Sequence, residues 1–289
     1  MKLAANISHP LLKMLCENPG TVDLIKLSRQ SAIMEDLALV DELPKEAQKP
    51  VLFHTFPRLG ESDEEWNKID WSSFNQLVEK YQCPHLSIHF DLLKQDVGGR
   101  TEVTNDEARN IFKRRHEWLS QNVMRPLIYE NSDYWPITPD AETYDLDRND
   151  RLPQAQMADF IRETLADLEA KMLLDLSHAR CFCSVTGENV QDYLLKLPLE
   201  KVRELHLVGA REKECAGQKI LVDCHYFLTD EDYRLLEWLL NQPRFQNCQY
   251  LTLEYGGFGP GYENEKLSSE AALREQLGYL GEICHKESQ

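Results

Sequence analysis

No run in this 289-residue chain approaches the roughly 18 consecutive apolar residues of a membrane-spanning helix, so a protein of that kind is excluded. Basic residues are scarce. Lys and Arg number 32 against 49 Asp and Glu, a formal net charge of −17. Nucleic-acid affinity rests mainly on Lys and Arg displacing counterions, so no nucleic-acid partner is expected. The acidic excess reads chiefly as a solubilising surface, with a basic peptide substrate as a further reason for it. Cys-x-x-Cys pairs are absent among the eight cysteines, Cys16, Cys83, Cys181, Cys183, Cys215, Cys224, Cys248 and Cys284. That argues against a structural zinc site, and a chain of this size needs no disulfide staples, so reduced thiols are expected. The opening MKLAANISHPLLKML is broken by His9 and Pro10 and lacks the apolar core of a signal peptide; a cytoplasmic location is expected. Solenoid repeats and dividing linkers are also missing, so residues 1–289 read as one domain.

What is present is an alternation of short apolar, β-prone runs with longer amphipathic segments, the pattern of repeated βα units. Strands are expected near Lys2–Ile7, Val22–Leu27, Val51–Thr55, His85–Phe90, Leu127–Glu130, Met172–Leu176, Val202–Leu207 and Tyr250–Glu254. Apolar residues recur at three- and four-residue spacing in Ser72–Tyr81, Asn105–Gln121 and Gln154–Ala170, which predicts helices there. Ser132–Pro153 is acidic, holds Pro136, Pro139 and Pro153 and shows no period, so it reads as a long loop after the fifth strand; Tyr255–Gly261 reads as a glycine-rich one. Eight βα units of this length make a (β/α)8 TIM barrel, which takes roughly 250 residues.

Histidines and carboxylates fall at the ends of those strands. His54 closes the third in VLFHTF, His89 the fourth in HLSIHF, and Glu130 the fifth in LIYEN. Asp175 and His178 form a D-x-x-H after the sixth, and His206 closes the seventh. Asp223 and His225 form a D-x-H in the segment that follows, and Glu254 closes the eighth strand. In a parallel barrel these ends open onto one face, where active sites are built. Carboxylates drawn together repel unless cations hold them. Imidazole with carboxylate suits iron, zinc or manganese, and no cysteine shares these positions. Nine groups exceed the needs of one ion. His85 points to the same face as His89 in a regular strand and is an alternative ligand, whereas His9, His116 and His285 have no such placement and read as surface residues. Cys181 and Cys183 read as packing residues.

In order and spacing this set resembles the trinuclear site of endonuclease IV-type barrels, whose superfamily includes xylose isomerase-like enzymes. LIYENSDYW, LLLDLSHARCF, DYLLKLPLEKVRELHLVGA and ILVDCHYFLTDEDYRLLEWLL resemble consecutive blocks of the multinuclear non-heme iron-dependent oxidases, from about Val51 to Glu254. Before Val51 the chain departs from that family's usual opening, and His178 stands where several relatives have Asn. The resemblance implies two or three iron ions, mixed Fe2+ and Fe3+, and dioxygen as co-substrate for modifying a residue, often cysteine, of a ribosomally made precursor peptide. It leaves open a separate leader-binding partner protein. It implies one ion on His54, His89 and Glu130, a second on Glu130, Asp175, His206 and Glu254, and a third on His178, Asp223 and His225. Asn131 and Tyr134 are expected to shape the substrate pocket. A zinc-dependent phosphodiesterase of the endonuclease IV type and a sugar isomerase or epimerase are the alternative readings.

Overall fold

Eight short strands, apolar over most of their length with polar residues chiefly at their ends, pair in parallel: β1 (Lys2–Asn6), β2 (Leu24–Lys26), β3 (Val51–His54), β4 (Leu86–His89), β5 (Leu127–Glu130), β6 (Lys171–Asp175), β7 (Val202–Leu207) and β10 (Tyr250–Leu253). They close into a barrel in the order β1-β10-β7-β6-β5-β4-β3-β2. The structure is a computed structural model and describes residues 1–27, 32–54, 66, 68–132, 134, 151–215, 217–257 and 268–286. All eight expected strands are present; β1, β3, β4 and β10 are one or two residues shorter than the apolar runs and β2 is three shorter. A strand buried on both faces, inward by the barrel and outward by helices, must be apolar throughout, which is why these runs show little alternation.

Helices over Trp71–Lys80 and Asn105–Asn122 match the periodic segments. Asp70 caps the first by accepting from the Ser73 amide at 3.1 Å, and Thr104 caps the second by accepting from the Glu107 amide at 3.3 Å. The third periodic segment is split into a 3-10 turn, Pro153–Gln156, and a helix, Ala158–Asp167. The break follows from Gln156, whose buried amide binds the Phe90 carbonyl at 3.0 Å and the Ser132 amide at 2.7 Å instead of lying on a helical face. Those bonds tie the ends of the long acidic segment to β4 and β5, and the buried Arg151–Asp91 ion pair at 3.1 Å adds to them. Most of the expected Ser132–Pro153 loop, and residues 258–261 of the glycine-rich one, lie outside the described residues.

One element departs from the sequence reading. The segment carrying Asp223 and His225 is a strand: β8 (Gly209–Cys215) and β9 (Gln218–Tyr226) form an antiparallel hairpin inserted after β7. Ile220, Val222 and Cys224 alternate along β9 and pack with Ala210 against Cys181 of the helix Leu176–Thr186. At the hairpin base a side chain on Gly209 would run into the main-chain carbonyls of Tyr226 and Phe227, so the two strands close there only around glycine. The hairpin brings β9 back over the barrel mouth.

Candidate metal centre

His54, His89, Glu130 and Asp175 are the last residues of β3, β4, β5 and β6; His206 is the penultimate residue of β7, and Glu254 directly follows β10. Register fixes their neighbourhood, with His89 beside Glu130 and Asp175 beside His206. His178 enters through a helix cap. Asp175 is the N-cap of Leu176–Thr186, and its Oδ1 accepts from the His178 amide at 2.7 Å. The D-x-x-H spacing is therefore a capping geometry that carries the imidazole to the rim. β9 supplies Asp223 and, at a positive φ of 51°, His225; a left-handed histidine is backbone strain held by its surroundings.

Four imidazoles each have one ring nitrogen engaged by protein outside the carboxylate cluster. Nδ1 of His178 donates to the Asn131 carbonyl at 2.8 Å, and Nδ1 of His225 donates to the Glu254 carbonyl at 3.0 Å. Nε2 of His206 meets Glu204 at 3.0 Å, and Nδ1 of His54 meets the Ser87 hydroxyl at 2.7 Å. Such partners orient a ring and leave its other nitrogen available. His54 and His89 direct Nε2 at Glu130 Oε2, 3.1 and 2.9 Å away, while Nδ1 of His206 lies 3.2 Å from Glu130 Oε1. Nε2 of His178 lies 3.2 Å from Asp223 Oδ2. About 3 Å is the separation of neighbouring ligands on one ion with bonds of roughly 2.1 Å. Glu130 Oε2, Asp175 Oδ2 and His89 Nδ1 are buried without a hydrogen bond among the described residues. Buried carboxylate oxygens in that condition call for a cation.

Three overlapping groups are close enough to hold an ion: His54, His89 and Glu130; Glu130, Asp175 and His206; and Asp175, His178 and Asp223. Glu130 and Asp175 are shared, as bridging carboxylates would be. A fourth group joins His54, His206 and Glu254. His225 stands apart, its Nε2 3.9 Å from Asp223 Oδ2.

Proton affinities follow the same crowding. Burial pushes the Glu130 carboxyl up, but His54, His89 and His206 together outweigh it and hold it well below the usual range. Burial is also the first cause at Asp175, which is pushed up to about 6 with help from Asp223 and Glu130. Burial lowers the His178 imidazole, yet Asp175, Asp223 and Glu130 raise it to about 9. Asp223 is held low by His225 and His178 against its own burial. His54 is lowered well below its ordinary value by burial and then by Lys26. A proton on His178 thus does in the metal-free protein what a cation would do better.

Sequence reasoning missed three groups at this rim. Lys26, closing β2, is 2% exposed, and its ammonium is ion-paired with Glu254. Burial lowers it to about 8 despite the surrounding carboxylates. Asn6, closing β1, donates to the carbonyls of Glu254 at 3.1 Å and Gly256 at 3.2 Å, and Gly256 turns there with φ 86°. Glu204 gathers His206, Thr252 at 2.6 Å and His85 at 2.5 Å. Its signal was the spacing ELH, two residues before His206 on one strand face.

Other expectations sort as follows. His85 faces Glu204 rather than the shared carboxylates and belongs to none of the ion-sized groups. His116, expected at the surface, is half-buried and binds the Tyr129 hydroxyl at 2.6 Å. Asn131 spends its amide on the Asp175 main chain, donating to the carbonyl and accepting from the amide, each at 2.9 Å, which locks β5 to β6. Tyr134 lies edge-on to Phe182 with ring centres 6.4 Å apart. Cys181 and Cys183 are packed in apolar clusters.

A family model described as "RiPP precursor modification enzyme MbnB/TglH/ChrH" matches residues 47–251, from ahead of β3 into β10. A UPF0276 protein of Bordetella pertussis is 35% identical over 163 residues, covering 54% of this chain and 52% of its own. This chain thus spans about half the length of the Bordetella relatives it matches. A Rhodospirillum rubrum protein named after xylose isomerase superposes with a TM-score of 0.57 at 13% identity, over 97% of this chain and 98% of that one. SacUVDE superposes with a TM-score of 0.54 at 12% identity, over 97% and 99%. At such identities these two likenesses are of fold.

Proposed function

This chain belongs to the RiPP precursor modification enzyme family MbnB/TglH/ChrH, and on that premise we propose that it is a multinuclear iron-dependent oxidase. Its substrate is a ribosomally synthesised precursor peptide, of which it modifies one residue with dioxygen. The observation that carries the reading is the fixed direction of the imidazoles. With one nitrogen of His54, His178 and His206 engaged by Ser87, Asn131 and Glu204, the other nitrogens of His54 and His206 point at Glu130 and that of His178 at Asp223.

His54, His89 and Glu130 would hold one ion, Glu130, Asp175 and His206 with Glu254 a second, and His178, Asp175 and Asp223 a third. The donor set is nitrogen and oxygen without sulfur, which fits iron. Iron, when bound, supplies one-electron chemistry with dioxygen that side chains lack. The protein's own part is geometric and electrostatic. Glu130, Asp175 and His206 form a floor with no solvent exposure, which keeps water from the inner ligands. His54 and His89 are the more open side, at 11% and 16% side-chain exposure, and a peptide side chain reaches the centre there. Fixed partners on the rings limit the reorganisation needed when a ligand exchanges.

The test is co-expression with a short precursor encoded beside the protein, followed by mass spectrometry. A defined mass change at one residue, dependent on iron and air, is expected. An unchanged peptide under aerobic, iron-replete conditions counts against the oxidase. Zinc at full occupancy together with cleavage of a phosphodiester would replace it by a hydrolase.

A further inference from the structure

Among the imidazoles of the rim, His89 differs from the rest in what meets its second nitrogen. His54, His178, His206 and His225 each have one ring nitrogen held by protein outside the carboxylate cluster. Nδ1 of His89 is buried without a hydrogen bond among the described residues, while Nε2 faces Glu130 Oε2 at 2.9 Å. An ion on Nε2 confines the ring proton to Nδ1, and a buried N–H without an acceptor is costly. A carboxylate stands close by. Asp91, two residues on and itself buried, has its Oδ2 4.0 Å from that Nδ1. The gap is about 1 Å longer than a hydrogen bond, which a small swing of the ring closes. The ring must turn in any case when Nε2 exchanges the Glu130 oxygen for an ion, because the two then become neighbouring ligands instead of donor and acceptor. Asp91 is anchored from its far side. Its Oδ1 is paired with Nε of the buried Arg151 at 3.1 Å. Arg151 is itself fixed through the main chain, by an antiparallel bridge to Leu93 and by the Leu152 amide, which donates to the Leu92 carbonyl at 2.8 Å. His89 and Asp91 thus stand as imidazole and buried carboxylate, the pairing already closed at 3.0 Å between His206 and Glu204.

We propose that Asp91 is the positioning residue of His89: in the metal-loaded protein its Oδ2 accepts a hydrogen bond from Nδ1 and aims Nε2 at the ion shared with His54 and Glu130. The inference rests on the metal-centre reading above. Arg151 holds the other oxygen and so keeps Oδ2 turned to the ring. A charged acceptor makes His89 a stronger ligand than the Ser87 hydroxyl makes His54. The Asp91–Arg151 pair, which ties the end of the acidic segment to β4, thus has a second task at the more open side of the centre.

The experiment uses zinc-loaded protein, with competition against a chromophoric chelator for affinity and nitrogen-edited NMR of the histidine ring protons for the hydrogen bond. Wild type should show a His89 Nδ1 proton shifted downfield and protected from exchange, identified by its loss in His89→Gln. Asp91→Asn should move that signal upfield and weaken one ion by about 10–100-fold, while the others stay within about three-fold. Asp91→Glu should recover part of the loss. Arg151→Met removes the tie but leaves the acceptor, so it should weaken the same ion less than Asp91→Asn does. Equal losses in those two variants would reduce the pair to a tie and overturn the inference. Unchanged affinity, or an unchanged ring signal, in a folded Asp91→Asn overturns it as well. If Asp91→Asn misfolds, the wild-type signal decides alone, and a His89 Nδ1 proton that is unshifted or lost to exchange sinks the proposal. In all these cases wild type still carries metal and only the role of Asp91 falls. A wild type that takes up neither Zn2+ nor, anaerobically, Fe2+ defeats the metal-centre reading and the inference together.

Discussion

Along the rim from β3 to β7 the strand ends carry His54, His89, Glu130, Asp175 and His206; from β10 through β1 to β2 they carry Glu254, Asn6 and Lys26. Both arcs are buried and polar, and both are built on short parallel strands. They differ in how their charge is met. The second arc closes on itself: Lys26 neutralises Glu254, and the Asn6 amide takes up the main chain around it. On the first arc, one oxygen each of Glu130 and Asp175 has no hydrogen bond among the described residues, and His178 is driven toward protonation beside Asp175 and Asp223. Converging polar groups invite a cation where the protein has left part of their charge unanswered. Convergence alone is not enough.

The largest test of that contrast is Glu130→Ala. It removes a carboxylate shared by two ion-sized groups, so the variant should lose more than one ion per chain by elemental analysis, with activity falling in step. Full metal content in a folded Glu130→Ala would mean that the first arc is not the ligand set.

A smaller loss is expected for Glu204→Gln, which touches no ion but holds Nε2 of His206. A weaker and less directed partner should cost about 10–100-fold in affinity for the ion at His206, read by chelator competition. Equal affinity would show that His206 is oriented by packing alone.

pH should separate metal-free from metal-loaded protein by a few degrees of Tm. In the metal-free chain both key groups are raised, Asp175 to about 6 and His178 to about 9. A group raised in the fold stabilises it below its unfolded pKa and loses that contribution as pH climbs through the folded value. The His178 contribution is therefore present below about 6.5 and lost toward 9. Metal binding must displace the same proton, so affinity and the stability it confers rise over that window. Calorimetry at pH 6.5 and 9, with and without chelator, should show stability falling with pH in the metal-free protein and nearly level in the loaded one. Parallel slopes would remove His178 from the ligand set.

The smallest effect is expected from His85→Gln. His85 shares Glu204 with His206 but faces away from the bridging carboxylates, so the variant should keep its full complement of ions and lose only stability. Loss of an ion would restore His85 as a ligand.

Much of this was legible in the chain itself. Eight runs apolar on both faces demand a parallel barrel, and a parallel barrel sends the residues at their ends to one side. That is why His54, His89, Glu130, Asp175, His206 and Glu254 were legible as one rim without coordinates. Their partners were not. Lys26 looks like any lysine following an apolar run, and nothing local says that it turns inward across the mouth to a carboxylate 228 positions later. That Asp223 and His225 lie on a strand was not legible, because the hairpin that carries them packs on the helix Leu176–Thr186 through contacts distant in sequence. Periodicity reports which way a side chain faces, since that is a property of the local backbone. Which charge answers which is settled by distance through space, and only the closed barrel sets those distances.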